Sequence, residues 1–276
     1  MILLYLFTID VDLPTLYCHV YHAHIGGHMK IAFISDIHGN LPALEAVKKD
    51  ILRRGVDQIV NLGDSLSGPL LPRETAQFLM AEGWYSLAGN HERQILAEDG
   101  SPRGLSDAYA YEQLTQVELD WIRSLTHRHQ LTNEILICHG TPRKDIEYFL
   151  ETVEGNVMHI ARPDEINERI AGEMAPIIVC GHSHTPRMIK RHARQSNEQV
   201  LFNPGSVGLQ AYDDNHPHYY RVEMGSPDAR YAILKLHQGQ WNVSFYSVAY
   251  NFESMVQLAK QRGREDWARA LQTGYA

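Results

Sequence analysis

The chain of 276 residues has only three cysteines, Cys18, Cys138 and Cys180. No two lie close enough for a CxxC metal pair, and an odd, sparse set excludes a disulfide framework. Cys138 and Cys180 each sit in an apolar run, where cysteine behaves as a small buried hydrophobe. A reducing cytoplasmic setting fits such thiols best. Positive charge is also short: 25 Lys and Arg against 33 Asp and Glu give a formal charge of -8. That balance argues against a broad nucleic-acid surface, which needs clustered Lys and Arg, and leaves only a local basic pocket open. No apolar run reaches the roughly 20 residues needed to span a bilayer. Internal repeats, low-complexity tracts and a dividing linker are missing too, and nothing in the sequence speaks to oligomeric state.

What is there is an ordinary globular composition, 44% hydrophobic and 21% charged, with an unusually large set of 16 histidines. The first 28 residues read apart from the rest. Their opening MILLYLF lacks a basic flank and is too short for a span, so no targeting segment is assigned. The following CHVYHAHIGGHM holds His19, His22, His24 and His28 without periodicity. We set 1–28 aside as an extension, from an upstream start or a cloning remnant, and expect one domain over 29–276.

From Met29 the pattern alternates. Ile31–Ile34 is a short apolar run, and Leu41–Arg54 has helical spacing behind an Asn40 N-cap. Gln58–Leu62, a helix over Pro72–Glu82 and a strand over Trp84–Leu87 complete β-α-β-α-β, the mark of a layered α/β sheet. A helical insertion is expected near 92–133, with a capping box at Thr115 and Glu118. Glu134–Ile137 returns to strand, 143–174 reads as a mostly helical charged insertion, and Ile177–Cys180 is a further strand. Val200–Phe202, Tyr231–Leu236 and Trp241–Val248 look like an antiparallel run. One or two helices around Gly263 close the chain.

The strand ends carry the signal. Ile31–Ile34 leads into Ser35-Asp36-Ile37-His38-Gly39-Asn40, and Ile59–Leu62 into Gly63-Asp64. Trp84–Ala88 leads into Gly89-Asn90-His91-Glu92, Ile135–Cys138 into His139-Gly140, and Ile177–Cys180 into Gly181-His182-Ser183-His184. Each end offers Asp, Asn or His beside a glycine, at the sheet edge where α/β proteins bind ligands. In an extended chain, positions two apart point the same way, so Asp36 with His38, and His182 with His184, would share a face. Carboxylate, imidazole and amide oxygen suit Mn, Fe, Zn or Ni, and this many ligands exceed what one ion needs.

These motifs resemble the calcineurin-like metallophosphoesterase superfamily: DIHGN at Asp36–Asn40, GD at Gly63–Asp64, GNHE at Gly89–Glu92, CHG at Cys138–Gly140 and GHSH at Gly181–His184. NPGSVG at Asn203–Gly208 extends the likeness to bacterial phosphodiesterase-type members. The resemblance implies an α/β fold, a four-layer αββα sandwich of two mixed sheets with the metal site at the strand C-terminal ends. It implies one divalent ion held by Asp36, His38 and His184 and a second by Asn90, His139 and His182, with Asp64 bridging. Manganese is the first expectation, with iron, zinc or nickel as alternatives. A hydroxide shared by ions roughly 3.5–4 Å apart would attack phosphorus in line, and the ions' charge outweighs that of the two aspartates. By the same resemblance His91 is no ligand but the catalytic residue that meets phosphate and leaving group.

Other candidates rank lower. His216, His218, Tyr212, Tyr219 and Tyr220 lie in AYDDNHPHYY, read as a surface excursion, with a loop over the site and a base-stacking tyrosine as the competing reading. Arg73, Arg93 and Arg143 could meet a phosphate but read as solvated charges, and His127 and His129 as exposed. Protein Ser/Thr phosphatases of the superfamily extend the second motif to GDxVDRG. This chain has Gly63-Asp64-Ser65-Leu66-Ser67-Gly68, without the Asp-Arg pair, which turns expectation from phosphoproteins to a small phosphoester. The expected function is a dinuclear phosphodiesterase, acting on a nucleotide in the leading version. The alternatives are a phosphomonoesterase, a dinucleoside polyphosphate hydrolase, or a non-catalytic scaffold of the same fold.

Overall fold

The computed structural model describes residues 28–192, 198–216 and 218–276. Cys18 and the histidines before His28 lie outside the described residues. The first sheet gathers β1 (His28–Ile34), β2 (Gln58–Asn61), β3 (Tyr85–Ser86), β13 (Ala229–His237) and β14 (Gln240–Val248), in the order β14-β13-β1-β2-β3. Thus the sheet begins one residue inside the segment set aside as an extension. The second sheet gathers β4 (Arg128–Gln130), β5 (Ile135–Cys138), β8 (Ile177–Val179), β9 (Arg187–His192) and β10 (Glu198–Asn203), in the order β4-β5-β8-β10-β9. The pairs β1 with β2, β2 with β3, β5 with β8 and β8 with β10 are parallel, and the pairs β1 with β13, β13 with β14, β4 with β5 and β9 with β10 are antiparallel.

Side chains alternate across a strand, and here both faces are apolar. Ile31 and Phe33 pack with Ile137, Val179 and Phe202 from the facing sheet. Ala32 and Ile34 point outward onto Val47 and Ile51 of α1 (Leu41–Arg54) and Leu79 of α2 (Pro72–Glu82). On the far side Leu136, Ile178 and Leu201 meet Ile166 and Ile170 of α6 (Pro163–Ile170). Helix, sheet, sheet, helix is the expected four-layer sandwich.

The remaining helices are α3 (Asn90–Leu96), α4 (Leu105–Gln113), α5 (Gln116–Ser124), α7 (Glu253–Gln261) and α8 (Glu265–Thr273). Two caps form as expected: Asn40 accepts from the Ala43 amide at 3.3 Å, and Glu118 accepts from the Thr115 amide at 2.8 Å. Among the described residues, no helix is long and apolar enough to cross a membrane.

Three expectations fail. The 143–174 insertion is not mostly helical, since β6 (Glu151–Glu154) and β7 (Val157–Ile160) form a hairpin ahead of α6. Its two-residue loop Gly155–Asn156, with Gly155 at φ 63, and its β-branched flanks outweigh the charge content. The last strands are not one antiparallel run: β10 pairs in parallel with β8, while β13 and β14 extend the other sheet. Residues Ala211–Asp214 and Tyr220–Glu223 are β11 and β12, a hairpin rather than a plain excursion.

Candidate active site

All five strand-end segments converge. Asp36, His38 and His184 present ligand atoms within 4.8 Å of one another, and so do Asp64, His139 and His182. Except for His182, which keeps partial solvent access, these side chains are buried. Asn90 is 4% exposed, and its Oδ1 has no hydrogen-bond partner.

Backbone carbonyls set the tautomers of the histidines. The Nδ1 atoms of His38, His184 and His139 sit 2.8, 2.7 and 2.8 Å from the carbonyl oxygens of Ser67, Leu209 and Leu62, and His182 Nε2 sits 3.1 Å from that of Ile146. A carbonyl can only accept, so each of these nitrogens carries hydrogen and the other ring nitrogen is turned inward. Metal-binding histidines are oriented in this way. Burial pushes His38 down to about 4 and His182 to about 3, and holds His184 well below its ordinary value, so these rings are neutral. The Nε2 atoms of His38 and His184 then face each other at 3.1 Å as two lone pairs. Asp36 Oδ1, itself without a partner, lies 3.5 Å from His184 Nε2. Facing acceptors repel, and a cation among them removes the conflict.

In the second group, His139 Nε2 lies 3.0 Å from Asp64 Oδ2 without hydrogen-bond alignment. Burial opposes charge on His139, yet Asp64 outweighs it and drives the ring up to about 10. Burial likewise works against the Asp64 carboxylate, but His139 and His91 hold it well below the usual range. Asp36, buried and beside Asp64, is pushed up to about 7 although His139 opposes the shift. In the first group the unmatched acceptors fit a divalent cation as they stand; in the second, a cation beside Asp64 would displace the proton that Asp64 holds on His139 and free Nε2 as a ligand.

Asp36 with His38, and His182 with His184, are not aimed by extended backbone. Asp36, His38, Asp64, His182 and His184 lie at φ 55, 53, 52, 69 and 56, in the left-handed region that non-glycine residues seldom adopt. Each such residue stores on the order of 1 kcal/mol, and strain of this kind gathers at functional sites. The strands end before these residues, at Ile34 and Val179, and tight turns aim the side chains. Two glycines admit close approach: a Cβ on Gly89 would lie 2.1 Å from Asp64 Oδ1, and one on Gly181 2.0 Å from Ser35 Oγ. Glu92 ties the loops together, accepting from the amides of Gly89, Asp64 and Ser65 at 2.7, 2.8 and 2.8 Å.

His91 stands beside the first group, its ring 5.4 Å from that of His38. Its amide donates to Asp64 Oδ1 at 2.9 Å, and its Nδ1 lies 2.8 Å from Asp107 Oδ1. Burial disfavours the imidazolium, but Asp64 and Asp107 outweigh it and drive His91 up to about 9. Asp107, on α4 and 4% exposed, escaped the sequence reading because it lies in no motif; only its place on a helix beside GNHE hints at it.

A cavity of about 1030 Å³ opens over both groups, lined by His38, Asp64, Asn90, His91, His182 and His184. Tyr148, Tyr212, Tyr220 and Trp267 contribute aromatic wall, and Arg169, Arg221, Arg264 and Arg269 contribute guanidinium groups. So the 211–220 segment does border the site, with Tyr220 buried, while His216, His218 and Tyr219 are exposed. Arg73, Arg93 and Arg143 do not line it; they pair with Glu118, Asp145 and Glu147. His127 and His129 are exposed as expected, and Cys138 and Cys180 are buried free thiols.

Comparison with known proteins agrees with this geometry. The family model for calcineurin-like phosphoesterases matches residues 29–213. Phosphodiesterase YfcE of Escherichia coli is 29% identical over 186 residues, covering 66% of this chain and 80% of the relative. Uncharacterized protein MJ0912 of Methanocaldococcus jannaschii is 24% identical over 196 residues, covering 64% and 76%. Among solved structures, a metallophosphoesterase from Sphaerobacter thermophilus superposes with a TM-score of 0.66 at 26% identity, covering 88% of this chain and 98% of that one. With the family pattern, the sandwich and the two ligand groups in agreement, the chain belongs to the calcineurin-like phosphoesterase family and is a metallophosphoesterase.

Proposed function

We propose that this protein is a dinuclear phosphodiesterase acting on a small organic phosphodiester. Asp36, His38 and His184 would hold one divalent ion, Asn90, His139 and His182 the other, with Asp64 between them. The observation that carries this reading is the pair of ligand groups, in which Asp36 Oδ1, Asn90 Oδ1 and His139 Nε2 have no hydrogen-bond partner and the Nε2 atoms of His38 and His184 face each other at 3.1 Å. Ions so held would polarise phosphoryl oxygens and make water nucleophilic near neutral pH. Manganese is the metal to test first, since the donor set of carboxylate, imidazole and amide suits it.

The chain's own residues supply the rest. His91, with Nδ1 occupied by Asp107, keeps Nε2 for a phosphoryl or leaving-group oxygen, an effect worth roughly 10²–10⁴-fold when the proton is transferred. Its raised value keeps it protonated at neutral pH. The cavity of about 1030 Å³ has room for organic groups on both sides of a phosphate, which favours a diester over a bare monoester. YfcE is named a phosphodiesterase, and its 29% identity over 186 residues supports the same class here. A nucleotide is the leading substrate.

The test is hydrolysis of bis(p-nitrophenyl) phosphate by chelator-stripped protein before and after Mn²⁺, with Asp64→Asn alongside. Metal-dependent turnover that drops at least a hundredfold in the variant supports the reading. Activity confined to monoesters would reassign the enzyme as a phosphomonoesterase, and metal-independent activity would end the proposal.

A further inference from the structure

Tyr148, from the loop before β6, and Tyr212 and Tyr220, from the β11–β12 hairpin, line one wall of the cavity. Their hydroxyls form a cluster: Tyr148 lies 2.9 Å from Tyr212 and is also hydrogen-bonded to Tyr220. The rings cap both ligand groups. Tyr148 packs 4.8 Å from His182, and Tyr212 packs 4.8 Å from His184.

Three hydroxyls joined by two hydrogen bonds hold three protons, and each bond uses one. Whatever the direction of the bonds, one O–H is left over. Among the described residues, the spare donor meets Asp214 Oδ2, 3.5 Å from the Tyr220 hydroxyl, a long contact on a carboxylate that already serves the Asn215 and His216 amides. If both bonds run the other way, from Tyr220 to Tyr148 and from Tyr148 to Tyr212, the spare proton sits on Tyr212 at the cavity wall.

Resting on the phosphoesterase reading, we propose that the Tyr148–Tyr212 pair donates a hydrogen bond to a phosphoryl oxygen of the bound ester, across the two ligand groups. An anion in the cavity reorients the cluster so that its surplus donor faces the substrate. The tyrosines come from the 143–174 segment and the hairpin, outside the strand-end motifs, so they add a substrate contact that those motifs do not supply.

Tyr→Phe variants keep the rings against His182 and His184 and remove only the hydroxyls. With Mn²⁺-loaded protein, Tyr212→Phe is expected to lower kcat/KM for bis(p-nitrophenyl) phosphate by about 10- to 100-fold, the range for a hydrogen bond to a charged group. Inorganic phosphate, measured by calorimetry, should bind more weakly in step, while metal content stays at the wild-type level. Tyr148→Phe leaves the Tyr212 donor but removes the hydroxyl that orients it, so it should lose less, and the double variant should fall within about twofold of Tyr212→Phe alone because the donor is already gone. Tyr219→Phe, at an exposed ring, is the unaffected control. Wild-type behaviour of Tyr212→Phe, a loss that follows metal content, or multiplicative losses in the double variant would overturn the proposal. If the wild type is inactive on the diester, the phosphodiesterase reading fails by itself. Equal phosphate affinity in wild type and Tyr212→Phe then decides against the tyrosine contact.

Discussion

A single methyl group on Gly89 should disable the site. Gly89 adopts φ -91 and ψ -171, a conformation open to any residue, so alanine meets no backbone penalty. The conflict is with Asp64, whose Oδ1, Cγ and backbone N would lie 2.1, 2.7 and 2.7 Å from the new Cβ. Ordinary contact begins near 3.4 Å, so the carboxylate or its loop must move by about 1 Å. Asp64 cannot move alone, because its Oδ1 receives the His91 amide and its own amide is held by Glu92. Overpacking of this kind costs about 1–3 kcal/mol, or roughly 2–12 °C in thermal midpoint. A displacement of about 1 Å at a catalytic group costs on the order of 100-fold in rate. We expect Gly89→Ala to fold, to melt earlier, and to lose about 100-fold in kcat/KM per folded molecule at 20 °C. Gly104→Ala, whose Cβ would meet nothing closer than 3.7 Å, is the control and should keep activity within about twofold. Wild-type turnover by folded Gly89→Ala would refute the assigned position of Asp64.

Three further outcomes follow from the same geometry. Asp107→Asn keeps an acceptor for His91 Nδ1 but removes a charge that raises its affinity for protons. The alkaline limb of the pH–rate profile, expected between 6.5 and about 9 because bound cations also repel the imidazolium, should move down by about one unit. Esters with poor leaving groups should lose more rate than nitrophenyl esters; an unmoved limb would remove Asp107 from its role. Stripping metal should lower the thermal midpoint, because an ion at 100 times its dissociation constant stabilises by about 2.7 kcal/mol, or roughly 5–10 °C; scanning calorimetry with and without chelator reads it. Metal binding must also release the proton of Asp36, held up to about 7 by burial, so Mn²⁺ affinity by calorimetry should rise as pH passes from 6 to 8. A flat pH dependence would place the ion elsewhere.

The layered fold was legible because apolar runs of strand length alternate with amphipathic stretches such as Leu41–Arg54, a local pattern that burial enforces. The residues that the fold gathers were legible because each lies within about five residues of a strand's end, as Asp36 does after β1 and His139 after β5. Conformation was not. No residue type announces a left-handed His182 or His184, since tertiary contacts such as the Asp36 carboxylate on the His182 amide at 3.2 Å impose it. Asp107 and the Tyr148–Tyr212–Tyr220 cluster depend on which helix and hairpin fold back over the site, a non-local matter that spacing cannot encode. The β6–β7 hairpin was readable from its Gly155–Asn156 loop, but the charge of its surroundings drew the reading toward helix.

The central claim is that two ions sit side by side in this cavity, and anomalous diffraction from crystals grown with Mn²⁺ tests it most directly. The account predicts two anomalous peaks flanking Asp64, one among Asp36, His38 and His184 and one among Asn90, His139 and His182. A single peak, or peaks away from these residues, would contradict it.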